Sequence, residues 1–377
     1  MNRKIQALMI LTAGLCLAGQ AQADEPEFLK GLTISGGITL NLQNLQNSNY
    51  VKDPLDPDAM EENRKPSLGQ YSVDVGIEKV FDDENTAFLH FETGKGDINP
   101  YLNSIASINR DADDSGNVAL TEAWLRHKFG GNFSMSIGVL DPTTAVDENA
   151  FANDETAQFL GSMFRNAANI AFPDNAFGVK GVFETDVADF AIQYIDSSDS
   201  KDVSRNGFAS AQIGFKPNLI DGKEGNYRFY GWTDTNDNAK LDGTGDSKEN
   251  DYGAGISFDQ EFTDNLGGFA RYSWSRGDID NEVFSAHTWS AGLQAKFKLL
   301  GDEDVAAIAY GEIIPSKEYK DNVNDNAKAE KHLEFYYSWN VNDYLSISPD
   351  FQVVENPLYN KEDTTAYISS IRMQISF

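Results

Sequence analysis

The sequence predicts an all-β fold: a transmembrane, antiparallel, up-and-down β-barrel of about 16 strands, with a long third extracellular loop folded inward. Three observations predict it. Apolar residues recur two apart along most of the chain, the connections between these stretches alternate between long and short, and no apolar run near 18 residues occurs after residue 23. Lipid excludes open sheet edges, so strands in a membrane must close into a barrel.

The first residues predict export. Arg3 and Lys4 precede an apolar run that ends near Leu17, and Ala21-Gln22-Ala23 follows. This is the pattern of a secretory signal peptide, so we expect residues 1–23 to be removed and residues 24–377 to form the barrel. The only cysteine, Cys16, would leave with the signal, so the mature chain would make no disulfide.

The last strand shows the alternation most clearly. Phe377, Ile375, Met373 and Ile371 share one face, and the residues between them are polar or charged. One face suits lipid and the other a watery lumen. Because an open edge is costly in a bilayer, we expect this strand to pair with the first. The aromatic terminus also resembles the signature that barrel assembly machinery reads.

Sixteen segments of this kind can be counted, and the facing of three of them is ambiguous. The predicted segments start near residues 31, 68, 85, 118, 133, 175, 189, 208, 225, 251, 266, 286, 304, 331, 344 and 365. In those near 118, 266 and 304 the pattern does not show which side faces lipid. The predicted number of strands is accurate to about two.

The connections sort by length. Short ones, such as 82–84, 130–132 and 262–265, alternate with long ones. Short turns on one rim and long loops on the other are typical of outer-membrane barrels. The long connections are 46–65, 95–117, 140–174, 197–207, 233–250, 277–283, 313–329 and 355–364.

Several motifs in residues 118–377 resemble the carbohydrate-selective porin family, OprB. They occur in order as "DP" at 141–142, "DENAFANDETAQFL" at 147–160, "AFPDNAFGV" at 171–179, "FTDNLGGFARYSWSRGD" at 262–278, and "SPDFQVVENP" before "IRMQISF". The chain departs from the family in its acidity and its short N-terminus. The resemblance implies passive, sugar-preferring diffusion across the outer membrane of a Gram-negative cell.

The longest connection, 140–174, predicts a constriction. It carries apolar residues, including Phe159, Met163 and Phe164, that a loop in water would not need, and long loops are usually functional. With the family resemblance, this favours an inward loop over a cap on the rim. Its polar residues would then face the solute: Asp147, Glu148, Asn149, Asn153, Asp154 and Arg165.

The alternation along the strands also indicates which wall residues face the lumen and could line the path of a sugar. Sugars have polar hydroxyls and apolar C–H faces, so their path needs aromatic rings beside hydrogen-bonding groups. For each residue alone, structural filling or a wall salt bridge is the simpler interpretation, and the clustering supports the path. The candidates are Glu122, Trp124, Arg126, Arg228, Tyr230, Trp232, Arg271, Glu334, Tyr336, Asp350, Gln352 and Arg372.

The charge of the chain is strongly acidic, but the predicted wall is balanced. The chain has 30 basic and 59 acidic residues, which excludes a nucleic-acid partner. Eight acids and seven bases fall on the lumen face, which favours a neutral or weakly selected solute. The acids are Asp74, Glu78, Glu92, Glu122, Glu184, Asp259, Glu334 and Asp350, and the bases are Arg126, Lys128, Lys180, Arg228, Arg271, Lys296 and Arg372.

Metal sites are weakly indicated, and no cofactor is expected. The stretch "DADDSGNVALTE" at 111–122 fits a calcium-loop pattern, but a strand begins within it and no helix precedes it. A looser calcium or magnesium site in the acidic outer loops stays open. Its candidates are Asp111, Asp113, Ser115, Asp234, Asn236 and Asn238.

Other classes of function have less support. The four histidines lack metal-ligand spacing, and no nucleophile elbow or phosphate-binding loop occurs, so we expect no enzyme. The alternatives are a general, weakly cation-preferring porin, a non-conducting structural or adhesin barrel, and a hydrolase on the lipid face. Expected partners are carbohydrate solutes, outer-membrane lipid, lipopolysaccharide and the assembly machinery, with a homotrimer left open.

Overall fold

Sixteen antiparallel strands close into one barrel in the computed structural model, which describes residues 29–47, 50–53, 55–61, 67–96, 102–111, 116–197, 206–242, 249–360 and 364–377. Each predicted segment starts within two residues of one of these strands, so the predicted fold is confirmed. The predicted signal peptide lies outside the described residues, and its removal stays a prediction.

The strands follow one another around the barrel in chain order, except for a small hairpin, β2 and β3, inside the first connection. The sequence did not predict that hairpin. The strands are β1 (Leu32–Gln46), β2 (Tyr50–Asp53), β3 (Asp56–Glu61), β4 (Ser67–Val80), β5 (Asn85–Lys95), β6 (Ala119–Lys128), β7 (Phe133–Leu140), β8 (Ala176–Glu184), β9 (Ala188–Asp196), β10 (Gly207–Phe215), β11 (Gly225–Asn238), β12 (Glu249–Glu261), β13 (Leu266–Ser275), β14 (Ser285–Phe297), β15 (Asp304–Pro315), β16 (Glu330–Asn342), β17 (Leu345–Glu355) and β18 (Thr365–Ser376).

The barrel closes where the sequence predicts it. β18 pairs with β1 from Gly37↔Ser376 to Gln46↔Tyr367. The terminal Phe377 extends this pairing, because it exchanges two backbone hydrogen bonds with Gly36, each 3.0 Å long. A Cβ at position 36 would lie 2.9 Å from the Phe377 ring, so glycine leaves room for the terminal aromatic side chain.

Side chains alternate between an apolar outer belt and a mostly polar interior. On β1, Leu42 is 66% exposed to the outside, whereas its neighbour Asn41 is 3% exposed. On β18 the outward Ile371 is exposed and Arg372 is buried inside. No helix in the described part of the chain is long and apolar enough to cross a membrane.

The three ambiguous strands have physical reasons for their ambiguity. On β6 the pairing with β5 shifts between His90 and Phe91, so the outward positions change parity between Leu120 and Leu125. On β13 and β15 some of the inward positions are apolar: Phe269, Ala307 and Ala309 are all buried inside the barrel. Such strands carry no simple apolar–polar contrast.

Two long connections run inside the barrel. The 141–175 connection, which we call the constriction loop, packs against apolar residues on the inner face of β13, β15 and β16. The connection between β5 and β6, which we call the second loop, contributes Leu102 and Ile108 to a cluster with inward residues of β1 and β18. The sequence predicted the first of these inward loops and missed the second.

Candidate functional site: the constricted lumen

The constriction loop starts with a capped turn. The Asp141 carboxylate accepts a hydrogen bond of 2.8 Å from the backbone N–H of Thr143, and Pro142 occupies the first position of the 3₁₀ turn Pro142–Ala145. A short polar side chain before a proline is a strong turn initiator. The chain therefore turns into the lumen directly at the end of β7.

An apolar face fixes the far part of the loop to the wall. The Phe159 ring lies 5.1 Å from that of Phe164, 5.1 Å from that of Tyr336 and 5.9 Å from that of Phe269, measured between centroids. Met163 is buried in the same cluster. The apolar residues that first suggested an inward loop thus form a small core inside the barrel.

Arg271 on β13 anchors the middle of the loop. It donates hydrogen bonds to the backbone carbonyls of Phe164 (2.7 Å) and Ala152 (2.5 Å), and its Nε lies 3.2 Å from the Asp147 carboxylate. Both charged side chains are almost completely buried. A buried ion pair of this kind is tolerated when further hydrogen bonds support it. Here the other Asp147 oxygen accepts from the Ala167 N–H at 2.7 Å, and the terminal nitrogens of Arg271 make the bonds to the loop carbonyls.

Glu334 on β16 and Arg372 on β18 hold the next segment. The Glu334 carboxylate accepts from the backbone N–H groups of Leu160 (2.5 Å) and Gly161 (3.0 Å). Arg372 donates to the carbonyls of Glu155 (2.7 Å) and Gln158 (2.8 Å). The wall therefore uses charged side chains to satisfy loop backbone groups that have no strand partner.

The near end of the loop is tied to other strands. Gln212 on β10 accepts from the Asp147 N–H at 2.8 Å, and Asn149 donates to the Ser257 hydroxyl on β12 at 3.2 Å. The loop thus has anchors from β10 to β18, and it crosses the lumen as a fixed partition.

The second loop supports this partition. Glu330 accepts hydrogen bonds from the N–H groups of Ile105 and Ala106, and Ser107 accepts one from the N–H of Ser162 in the constriction loop. Asn109 lies against Gln43 and Gln70 of the wall. Both inward loops therefore fill the same side of the barrel.

More than half of the predicted path residues are buried under these loops. Their inward facing agrees with the sequence analysis, but their side chains contact the loop or the wall and are closed to a passing solute. The physical reason is the loop itself, whose backbone groups need partners. The buried residues are Asp147, Asn149, Tyr230, Trp232, Arg271, Glu334, Tyr336, Asp350, Gln352 and Arg372.

The other predicted residues keep part of their surface in the lumen. Trp124 donates from Nε1 to Glu122 at 3.1 Å, and the Arg126 guanidinium lies 5.8 Å from the Trp124 ring. The predicted residues with surface open to the lumen are Glu122, Trp124, Arg126, Glu148, Asn153, Asp154, Arg165 and Arg228.

Charges of both signs meet along this open side. Burial raises the pKa of Glu148 in the constriction loop, and the nearby Arg228 and Lys180 oppose that rise. Burial also raises the pKa of Asp111 in the second loop to about 7, with repulsion from Glu155 and Glu92 adding to it. Arg165 pairs with Glu155 at 2.6 Å.

Sequence reasoning missed several lumen groups. Phe88 and His90 lie inward beside Trp124, and Asp141 and Glu155 border the opening from the loop. The signal for Phe88 was present, because Thr86, Phe88 and His90 alternate in the same manner as Glu122, Trp124 and Arg126.

The metal candidates within the described residues lie in two separate places. Asp111 accepts hydrogen bonds from the Ser72 hydroxyl, whereas Asp113 and Ser115 lie outside the described residues. Asp234, Asn236 and Asn238 line an acidic cavity of about 530 Å³ at the long-loop rim, together with Asp280 and Glu282. Within the described ranges, no group of three or more acidic, histidine or cysteine side chains is arranged to hold a metal.

Solved porin structures share this fold. The high-pH structure of Pseudomonas putida OprB superposes with a TM-score of 0.78 at 15% identity, covering 92% of this chain and 94% of that one. A loop-deletion mutant of Vibrio cholerae OmpT gives 0.54 at 13% identity, covering 92% and 99%. A mutant of the Rh. blastica porin gives 0.54 at 11% identity, covering 92% and 100%.

The family assignment comes from the sequence. No curated protein sequence matches the chain. The family model described as "Carbohydrate-selective porin, OprB family" matches residues 96–377, which include both inward loops and every strand from β6 to β18. The chain therefore belongs to the OprB family of carbohydrate-selective porins of the outer membrane.

Proposed function

We propose that sugars cross this porin through an off-centre passage between the constriction loop and the wall formed by β4 to β8. The observation that carries the proposal is the one-sided anchoring of the loop. Its apolar residues and most of its anchors lie toward β10 to β18, and its half-buried Glu148 and Glu155 and its exposed Asp154 border the other side.

The groups on that side suit a sugar. Glu122, Glu148 and Asp154 are hydrogen-bond acceptors, Arg126 and Lys180 are donors, and Trp124 supplies an aromatic ring. A hydroxyl is both donor and acceptor, so a passage with mixed groups can replace the hydration shell of a sugar as it enters. Transport through such a passage is passive diffusion.

Other parts of the barrel surface suit partners other than the solute. The outer face carries exposed apolar and aromatic side chains such as Phe183, Phe190 and Phe229, which suit outer-membrane lipid. The aromatic terminus supports recognition by assembly machinery. The acidic residues at the long-loop rim, such as Asp280 and Glu282, support binding of divalent cations that bridge the barrel to lipopolysaccharide.

Planar-bilayer recording tests the proposal. Glucose added to the wild-type channel should reduce the ion current in a concentration-dependent way. A variant lacking residues 150–165 should conduct more current and lose most of this block, because those residues form the partition. A matched control is a deletion within residues 217–224, the longest of the connections on the other rim.

The outcomes separate the candidate functions. Current that no sugar reduces would favour a general diffusion porin. A channel that never opens would favour a structural barrel. If the 150–165 deletion leaves conductance unchanged, the proposed passage is wrong.

A further inference from the structure

A pair of aromatic rings lies on the lumen face of β5 and β6. Phe88 and Trp124 are direct cross-strand partners, with ring centroids 5.1 Å apart and ring planes at 32°. Both rings are half-buried, so each keeps part of its surface open. The constriction loop packs against other strands and gives neither ring a partner in the aromatic contacts of the described residues.

Glycines border these rings on both sides. Polar side chains also lie close to them: His90 is stacked 6.2 Å from Phe88, and the Arg126 guanidinium lies 5.8 Å from the Trp124 ring. A Cβ at Gly76 on β4 would lie 3.3 Å from the Phe88 ring, so glycine allows the ring to lie against the wall. On the other side, Gly138 pairs with Trp124 and Gly178 pairs with Gly138. Gly138 has φ +143°, and a Cβ there would come within 2.7 Å of the Trp124 backbone. The result is a flat apolar floor on the wall.

Polar groups border this floor above and below. One row toward the long-loop rim, His90 pairs with Glu122, whose carboxylate is held by the Trp124 indole N–H. One row toward the other rim, Thr86 pairs with Arg126, which donates to the Thr86 hydroxyl. An acceptor and a donor thus flank two aromatic faces.

We propose that Phe88 and Trp124 form a stacking subsite for a pyranose ring, with Glu122 and Arg126 binding its hydroxyls at either edge. The subsite determines specificity: it selects cyclic sugars whose one face is free of axial hydroxyls over open-chain polyols. The C–H bonds of such a face contact aromatic carbon well, and an open-chain polyol has no flat face to offer. This inference rests on the proposed function, since it concerns the same passage.

Current block by D-glucose and by sorbitol tests the subsite, because the two have similar size and hydroxyl number. In the wild type, glucose should block at a lower concentration than sorbitol. Phe88→Leu and Trp124→Leu should each raise the glucose blocking concentration about fivefold, the size of one aromatic contact, and leave the sorbitol value unchanged.

Two further variants isolate the ring. Trp124→Phe loses the indole N–H as Trp124→Leu does, but it keeps an aromatic face and should retain most of the glucose block. Phe190→Leu, which changes a ring on the outer face, should behave as the wild type. Migration of folded barrel on an unheated gel confirms that each variant assembles.

The results distinguish the two proposals. If no sugar blocks the wild type, the proposed function fails. If glucose blocks it but no better than sorbitol, or if both leucine variants keep the wild-type glucose value, the function stands and the stacking subsite is overturned. If one leucine variant fails to assemble, the other variant and the comparison of glucose with sorbitol in the wild type still test the subsite.

Discussion

At the scale of single residues, the inner wall uses charge to hold a loop. Arg271, Glu334 and Arg372 were predicted from their facing, and their burial could not be, because it depends on where the constriction loop lies. Alternation shows which side of a strand faces inward. It does not show which inward groups a distant segment covers, so the sequence alone overestimated the open path.

Replacing Arg271 with methionine should release the middle of the constriction loop. The change leaves Asp147 buried without its partner and removes the bonds to the Phe164 and Ala152 carbonyls. Breaking a buried pair in this way costs about 3–5 kcal/mol. We expect a lower urea midpoint of unfolding in detergent and a larger single-channel conductance.

A surface pair provides the control. Lys317 and Asp321 form an exposed ion pair in a short helix, so Lys317→Met should leave the urea midpoint of unfolding and the conductance at their wild-type values. Wild-type conductance and stability in Arg271→Met would show that Arg271 does not hold the loop.

At the scale of elements, strands were the most predictable part. Lipid on one side and polar lumen on the other impose a period of two, and this placed β1, β7 and β18 almost to the residue. The contrast weakened on β13 and β15, where Phe269 and Ala307 face inward to meet the loop. The hairpin of β2 and β3 lies outside the barrel wall, so the bilayer imposes no such pattern on it.

Deleting residues 372–377 should prevent assembly. These residues form the part of β18 that pairs with positions 37–41 of β1, and their loss leaves both edges without hydrogen-bond partners in lipid. The truncated chain should lack the heat-modifiable folded band of the wild type. A chain carrying Ser376→Thr, which keeps the backbone pairing, should fold, and a normal folded band from the truncation would refute the requirement.

At the scale of the whole molecule, the excess acid is concentrated outside the wall. With the predicted signal removed, 28 bases face 59 acids, a net charge of −31. The predicted wall is nearly neutral, and the cavity at the long-loop rim includes Asp234, Asp280 and Glu282. The acidic field of the outer loops therefore acts mainly at the entrance, and Asp111 and Glu155 add carboxylates at the constriction.

Ion selectivity should accordingly be modest and dependent on salt. In dilute KCl gradients we expect the sign of the reversal potential to show a preference for cations. Its size should fall as salt shortens the Debye length from about 10 Å at 0.1 M to about 3 Å at 1 M. Asp280→Asn with Glu282→Gln should reduce the preference at low salt only. Strong cation selectivity that persists at 1 M would instead show that carboxylates inside the constriction determine the ion preference.

The anchoring of the constriction loop also sets an order of events during folding. The loop follows β7, but its partners lie as far along the chain as Arg372, and the closing hydrogen bond between Thr39 and Gln374 joins residues 335 positions apart. Contacts so distant in sequence form late. We therefore expect the orifice to reach its final width only when the last strand, which carries Arg372, has docked.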